Sequence, residues 1–186
     1  MIGFNVAQLL KTFTGTVKRV EVDESDDRLG DEIGLVSPVR GSLRLMRTPR
    51  GILVTGKLDL DVEAACSRCL DTFVRHETIE IDEEFVPVVD VNTGVALADE
   101  EDPDAFRLTS LHELDLTEAI RQYAILESPL QELCREDCKG LCSNCGANLN
   151  LGRCGCDATS DGGPRGNLGS LLAERLRQKG FKPEEE

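Results

Sequence analysis

The sequence of 186 residues is poor in aromatic side chains, with no tryptophan, one tyrosine and six phenylalanines. Valine, isoleucine and leucine must therefore build most of its core. The length allows one ordinary domain with an appendage, or two small domains.

Other absences narrow the class of protein. No run approaches the roughly 18 apolar residues of a membrane span. The first fifteen residues lack a charged region followed by a long apolar run, so we expect a cytoplasmic, reducing environment. Neither a glycine-rich phosphate loop nor a G-x-S-x-G motif occurs. We therefore expect neither a membrane nor a small-molecule substrate as partner.

The charge is strongly biased, because 35 acidic residues against 21 basic ones give a formal net charge of −14. Such a chain is repelled by nucleic acid overall, so any RNA contact needs a local basic patch. The segment 33–57 contains no acid, and it carries five basic residues: Arg40, Arg44, Arg47, Arg50 and Lys57.

Eight cysteines are the strongest signal in the sequence, and they fall into short-spaced groups. One group reads Cys134-x3-Cys138-x3-Cys142-x2-Cys145-x8-Cys154-x-Cys156, and the other is the pair Cys66-x2-Cys69. Four thiolates satisfy a tetrahedral Zn²⁺ ion, and C-x2-4-C spacings let one tight turn supply two ligands. We expect all eight cysteines to bind two Zn²⁺ ions. Disulfides and iron–sulfur clusters are the alternatives, since both also use cysteine in even numbers.

The eight cysteines can be divided into two sites in more than one way. We favour a local site of Cys142, Cys145, Cys154 and Cys156, because short loops close at the least entropic cost. Cys66 and Cys69 then join Cys134 and Cys138. The other division places residues 134, 138, 142 and 145 together and leaves 66, 69, 154 and 156.

The cysteine pattern does not indicate a catalytic zinc site. A catalytic zinc keeps an open position and usually has histidine or carboxylate ligands. The two histidines, His76 and His112, do not lie at ligand spacing to a cysteine. We expect a protein that is not an enzyme, with an RNA-processing enzyme that uses acidic residues and a metal as the alternative.

The remaining pattern predicts an α+β fold of antiparallel β-hairpins, a few helices and a cysteine-rich zinc-binding region. Alternating apolar residues predict strands at Thr14–Val22, Val39–Met46, Ile52–Ala65 and Phe73–Val86. Helical periodicity predicts helices at Asn5–Lys11, after a capping box at Asp115–Glu118 and up to Pro129, and at Asn167–Lys179. Residues 21–32 read as a polar link, and residues 88–110 as an acidic loop. We divide the chain into a β-rich domain, 1–132, and a cysteine-rich region, 133–186, packed on it, with a single domain as the alternative.

Three segments together resemble a known bacterial family. They are Cys66-Ser-Arg-Cys69-Leu70, Leu114-Asp-Leu-Thr-Glu-Ala-Ile120, and the run from Pro129 to Asn150 that contains CREDCKGLCSNCGANLN. The chain is similar in these segments to the YceD family, the large ribosomal RNA subunit accumulation proteins. The resemblance covers about half of the chain. The family commonly shows Asp-Pro-Arg after the last cysteines, where this chain has Gly163-Pro164-Arg165.

This resemblance implies a cytoplasmic factor needed for normal levels of large-subunit ribosomal RNA. The partner would be ribosomal RNA, a large-subunit ribosomal protein or an assembly intermediate. From the charge pattern we expect the interaction face to lie around the arginine hairpin and the basic residues beside the cysteines: Arg40, Arg44, Arg47, Arg50, Arg135 and Lys139. The acidic segment Asp99–Asp104 is expected to lie outside that face.

Overall fold

The computed structural model describes residues 1–97 and 105–156 of the chain. These residues form strands and helices in the order β1 Gly3–Asn5, α1 Ala7–Leu10, β2 Val17–Glu24, α2 Asp27–Ile33, β3 Val39–Arg47, β4 Ile52–Ala65, β5 Thr72–Val86, β6 Phe106–Arg107, β7 Glu113–Asp115 and α3 Thr117–Glu127.

The main sheet has five strands in the order β2-β3-β4-β5-β6. All neighbours are antiparallel except the short parallel pair β5–β6. Strands β1 and β7 form a separate antiparallel pair. The predicted α+β class with antiparallel hairpins is confirmed.

Strand β4 shows how the sequence pattern builds the sheet. Leu58, Leu60 and Val62 are at most 3% exposed, whereas Lys57 and Asp59, which have the opposite parity, face solvent. Burying each such aliphatic side chain stabilises the fold by about 1.5–3 kcal/mol. A register slip of one residue would expose all three, so this alternation fixes the pairing of β4 with its neighbours.

The inner face of the sheet is covered by α3 and by the N-terminal segment. Leu116, at the start of α3, and Ile120 and Ala124 within it are buried against the sheet, as their spacing predicts. The helix packs on β5 and α2. It ends at Glu127, before Pro129, also as predicted.

The start of α3 differs from the predicted capping box. Asp115 Oδ1 accepts a hydrogen bond from the backbone N–H of Thr117 at 2.9 Å. Glu118 pairs with Arg121 at 2.6 Å, so its carboxylate contacts the next turn of the helix rather than the N-terminal N–H groups. Half of the predicted capping box is therefore present, because the aspartate accepts a hydrogen bond from a backbone N–H group at the helix start.

The N-terminal predictions hold with shifted boundaries. The predicted helix Asn5–Lys11 contains α1, and Asn5 Oδ1 accepts from the N–H of Ala7 at 3.1 Å. The predicted strand Thr14–Val22 lies two to three residues further on, as β2. The predicted turn between β3 and β4 is present, with the N–H of Thr48 donating to the Gly51 carbonyl at 3.0 Å.

The predicted polar link at residues 21–32 is wrong, because it ends β2 and contains most of helix α2. The carboxylate of Asp26 accepts from the N–H of Arg28 at 2.9 Å and so caps this helix. Leu29 is fully buried, and Gly34 ends the helix in the left-handed conformation. The capping aspartate and the closing glycine were readable in the sequence.

The predicted loop at 88–110 is only partly a loop. Val89 and Ala96 form an isolated antiparallel bridge, and Phe106–Arg107 forms β6. The acidic segment Asp99–Asp104 and the predicted helix Asn167–Lys179 lie outside the described residues. Among the described residues, no helix is long and apolar enough to cross a membrane.

Candidate metal centres

The described cysteines converge into two tetrads. The first, which we call the bridging centre, contains Cys66, Cys69, Cys134 and Cys138. The second, the loop centre, contains Cys142, Cys145, Cys154 and Cys156. Within each tetrad all sulfur atoms lie within 4.8 Å of one another. This is the division that loop closure favours on the sequence.

The bridging centre is assembled from two distant parts of the chain. Cys66 and Cys69 lie in the loop between β4 and β5, and Cys134 and Cys138 follow α3. The Sγ atoms of Cys66 and Cys138 are 3.7 Å apart, as are those of Cys69 and Cys134. Four sulfurs held about 2.3 Å from one tetrahedral ion would be about 3.8 Å apart. The tetrad is therefore already spaced for a single ion.

Backbone N–H groups prepare the first cysteine of this centre for metal binding. The N–H groups of Cys134 and Cys69 donate to the sulfur of Cys66 and lower the pKa of its thiol to about 6. Such bonds favour the thiolate, which is the form that binds metal. The loop turns sharply here, with the N–H of Leu70 donating to the Cys66 carbonyl at 2.9 Å.

Backbone hydrogen bonds join the two parts of the bridging centre. The N–H of Ser67 donates to the Glu132 carbonyl at 2.7 Å, and the N–H of Leu141 donates to the Arg68 carbonyl at 3.1 Å. Gly140 has φ +70°, and a Cβ there would lie 2.9 Å from the Arg68 oxygen. The close approach of the two segments therefore requires glycine at this position.

Asn150 supports the bridging centre from the neighbouring loop. Its Nδ2 donates to the sulfur of Cys138 at 3.3 Å, and its Oδ1 accepts from the N–H of Lys139 at 2.8 Å. The first of these bonds lowers the pKa of Cys138. The sequence does not mark Asn150 as a functional residue, since an asparagine twelve residues from its partner gives no spacing signal.

The loop centre contains a turn of the same size after its first cysteine. The N–H of Gly146 donates to the Cys142 carbonyl at 2.8 Å, and the N–H of Cys142 donates to the Ala147 carbonyl at 2.8 Å. The N–H groups of Asn144 and Cys145 lower the pKa of Cys142 to about 6. Each tetrad thus has a leading cysteine whose thiolate is favoured by the backbone.

The predicted basic residues do not form one continuous face. Arg40 and Arg44 both lie on the outer face of the sheet, where Arg40 pairs with Asp23 at 3.1 Å. Arg44 stands opposite Arg19 of β2. Arg47 points the other way: its Nε donates to the Leu10 carbonyl at 3.1 Å, so this side chain supports the fold.

The other three predicted residues lie in two further places. Arg50 pairs with Glu84 at 3.3 Å near the β3–β4 turn. Arg135 pairs with Asp137 at 3.5 Å beside the bridging centre, and Lys139 is exposed there. Arg68, between the first two cysteines, donates to the Cys138 carbonyl at 3.0 Å and so helps to position a ligand loop.

Two cysteine tetrads positioned to hold metal ions, beside an antiparallel sheet, define a class of candidate metal-binding protein. The family model "Large ribosomal RNA subunit accumulation protein YceD" matches residues 54–172, well over half of the chain. The chain belongs to the YceD family. The matched range includes all eight cysteines.

Three relatives illustrate how far the similarity extends. A chloroplastic YCED homolog 1 of Arabidopsis thaliana, named as a large ribosomal RNA subunit accumulation protein, is 34% identical over 38% of this chain and 22% of its own length. An uncharacterized protein of Mycobacterium leprae is 26% identical over 66% of this chain and 55% of its own. One of Mycobacterium bovis is 30% identical over 58% and 49%. The matches thus cover between about a fifth and about half of these relatives. No solved structure matches the chain significantly.

Proposed function

We propose that this protein is a non-catalytic zinc-binding factor that supports the accumulation of large-subunit ribosomal RNA in the cytoplasm. The observation that carries the proposal is the pair of cysteine tetrads in a chain of the YceD family. The family name supports a role in ribosomal RNA accumulation, and the two tetrads support metal binding by all eight predicted ligands. The division of the chain at residue 132 stays a prediction.

Zinc is the metal that the tetrads fit best. In the bridging centre, a spacing of 3.7 Å between sulfurs suits one tetrahedral ion, and in the loop centre all four sulfurs lie within 4.8 Å of one another. A four-iron cluster binds its cysteines through four separate iron atoms, so it needs a wider cage. Neither tetrad includes a histidine or a carboxylate among the described residues. Four thiolates leave a zinc ion no open position for water, which supports a structural role for each site.

A basic protein suits this chain better as a partner than naked RNA does. The net charge is −14, and four thiolates around each Zn²⁺ ion add further negative charge. On the outer face of the sheet, Arg40 stands between Asp23 and Asp59 on the neighbouring strands. That face therefore has mixed charge, whereas binding to the RNA backbone needs a patch of one sign. A ribosomal protein of the large subunit would offer the complementary charge.

The proposed role can be tested in cells that lack the protein. We expect the wild-type chain, but not Cys66→Ser, to restore the ratio of large-subunit to small-subunit ribosomal RNA. Ser67→Ala is the matched control, because Ser67 is exposed in the same loop and contributes only its backbone N–H. Equal rescue by Cys66→Ser and wild type would contradict the proposal.

The partner class can be tested by affinity capture before and after ribonuclease treatment. A basic protein partner should remain bound to the purified complex after the treatment, and Arg40→Glu with Arg44→Glu should leave the complex intact. Loss of the complex with ribonuclease would favour RNA. A plot of log binding constant against log salt concentration would then fall with a slope of about one for each phosphate contact. Cleavage of precursor RNA by the purified protein with added Mg²⁺ would favour the enzyme alternative.

A further inference from the structure

A cavity of about 220 Å³, with no described cysteine in its lining, lies between β4, β5, α2 and the end of α3. Ile33, Val62 and Ile125 supply aliphatic walls. The charged groups in the lining are Arg75, Glu77 and Glu32, of which Glu32 pairs with Arg121. Pockets for drug-sized ligands usually measure about 300–1,000 Å³, so this one suits a single long side chain better.

The charged groups of this cavity are not balanced. Nη1 of Arg75 lies 2.7 Å from Oε2 of Glu77, and Nη2 lies 3.5 Å from Oε1 of Glu132. One guanidinium thus serves two carboxylates. The side chain of Glu77 is 7% exposed, and within the described residues neither of its oxygens accepts a well-aligned hydrogen bond.

The surroundings of Glu77 make its negative charge costly. Burial raises the pKa of this carboxyl, Arg75 opposes the shift, and Glu132 adds to it. Buried charges in proteins are normally paired and fully hydrogen-bonded, since desolvation is expensive. A second cation in the cavity would complete the pairing that Arg75 begins.

The end of α3 adds negative potential to the same place. Ala124 and Ile125, in its last turn, and Ser128, which follows, line the cavity. The last turn contains no basic residue. Carbonyl groups at a helix C-terminus carry partial negative charge and favour a nearby cation, so the helix end and Glu77 attract the same kind of guest.

We propose that this cavity receives a lysine or arginine side chain of a basic protein partner. Such a side chain has an aliphatic stem for the apolar walls and a cationic end for Glu77. Three large apolar side chains near the same helix end, Ile125, Leu126 and Leu130, are at least 54% exposed. Exposed apolar residues beside a charged pocket are typical of protein interfaces. The inference rests on the proposed function, because it deepens the choice of a protein partner.

The test uses the full chain loaded with zinc and short capped peptides as probes. Acetyl-Gly-Arg-Gly-amide or its lysine analogue should shift the methyl NMR signals of Ile33, Val62 and Ile125. The same peptide with neutral citrulline should bind at least about tenfold more weakly, since a charge-assisted hydrogen bond is lost. Failure of both basic peptides to bind, or equal binding of the citrulline peptide, overturns the proposal. Putrescine binding as tightly as the arginine peptide would assign the cavity to free polyamines instead and overturn it too.

Variants locate the binding. Glu77→Gln should weaken the arginine peptide at least about tenfold. Glu80→Gln, on the same strand but exposed and paired with Lys57, should leave binding unchanged. Ile125→Trp should block the cavity without altering charge, so it carries the test if Glu77→Gln does not fold. Unchanged binding in a folded Glu77→Gln variant, or in Ile125→Trp, would refute the assignment.

The outcomes of this experiment distinguish a wrong cavity assignment from a wrong proposed function. If no probe binds but Cys66→Ser still loses ribosomal RNA, the cavity assignment is wrong and the function stands. If the probes bind but the cysteine variants keep normal ribosomal RNA, the function is wrong and the cation-binding cavity stands.

Discussion

Each tetrad consists of four cysteines, but the surroundings of the two tetrads differ. In the bridging centre, Cys66, Cys69 and Cys138 are at most 3% exposed, and Phe73, Leu133 and Leu141 pack around them. In the loop centre, Cys145 is exposed and its three partners are half-buried. A tetrad of cysteines is thus part of a hydrophobic core in the bridging centre and lies at the surface in the loop centre.

The chain separation of the ligands explains what each centre can stabilise. Cys69 and Cys134 are 65 residues apart, so their centre ties the β4–β5 hairpin to the segment after α3. The loop centre joins only residues within 142–156. Closing a long loop removes more freedom from the unfolded chain than closing a short one. We therefore expect the bridging centre to control global stability and the loop centre to control local order.

The largest expected effect comes from removing one ligand of each centre. Cys66→Ser should lower the free energy of unfolding by about 4 kcal/mol or more, because it disrupts a buried metal site. Cys156→Ser should cost much less and leave the sheet folded. Urea unfolding followed by far-UV circular dichroism measures both. Equal losses in the two variants would show that the centres do not differ in the way their surroundings indicate.

A smaller effect is expected at a pair of glycines that share one backbone conformation. Gly140 has φ +70° and Gly146 has φ +72°, but only Gly140 lies against another segment. Both alanine variants carry backbone strain, and Gly140→Ala adds a contact of 2.9 Å with the Arg68 carbonyl. We expect Gly140→Ala to cost about 1–3 kcal/mol in global unfolding and Gly146→Ala to cost less. Thermal unfolding of both proteins decides, and a larger loss in Gly146→Ala would contradict the comparison.

A more selective effect is expected at Asn150, whose side chain donates to the Cys138 sulfur. Asn150→Ala should weaken metal binding at the bridging centre by about 10–100-fold, as for other residues that orient metal ligands. Competition with a coloured chelator measures this affinity. Asn144→Ala is the control, because Asn144 is exposed and contributes its backbone N–H to Cys142. Equal weakening in both variants would remove the special role of Asn150.

The smallest effect on the fold should follow gentle chelation. Because Cys145 is exposed, a chelator should take metal from the loop centre first. We expect two release phases, of which only the second lowers the helical and strand signal in circular dichroism. A single phase in which metal and fold are lost together would mean that the two centres form one cooperative unit.

Much of this arrangement could be predicted from particular residues. Alternation at Leu58, Leu60 and Val62 predicts β4, and the cysteine spacing predicts both tetrads. The same alternation could have shown that Arg47 lies on the inner face, since Arg40 and Arg44 have the opposite parity. Strand alternation places Arg75 and Glu77 on one face of β5, but the sequence could not reveal the cavity, because Glu132 and the end of α3 reach them only through tertiary packing.

Whether each tetrad holds one zinc ion can be measured by X-ray absorption at the zinc edge, together with elemental analysis of the chain purified without chelator. We expect two zinc ions per chain, each with four sulfur ligands at about 2.3 Å and no oxygen or nitrogen neighbour. Fewer than two zinc ions, iron in their place, or an oxygen ligand on either ion would contradict the account.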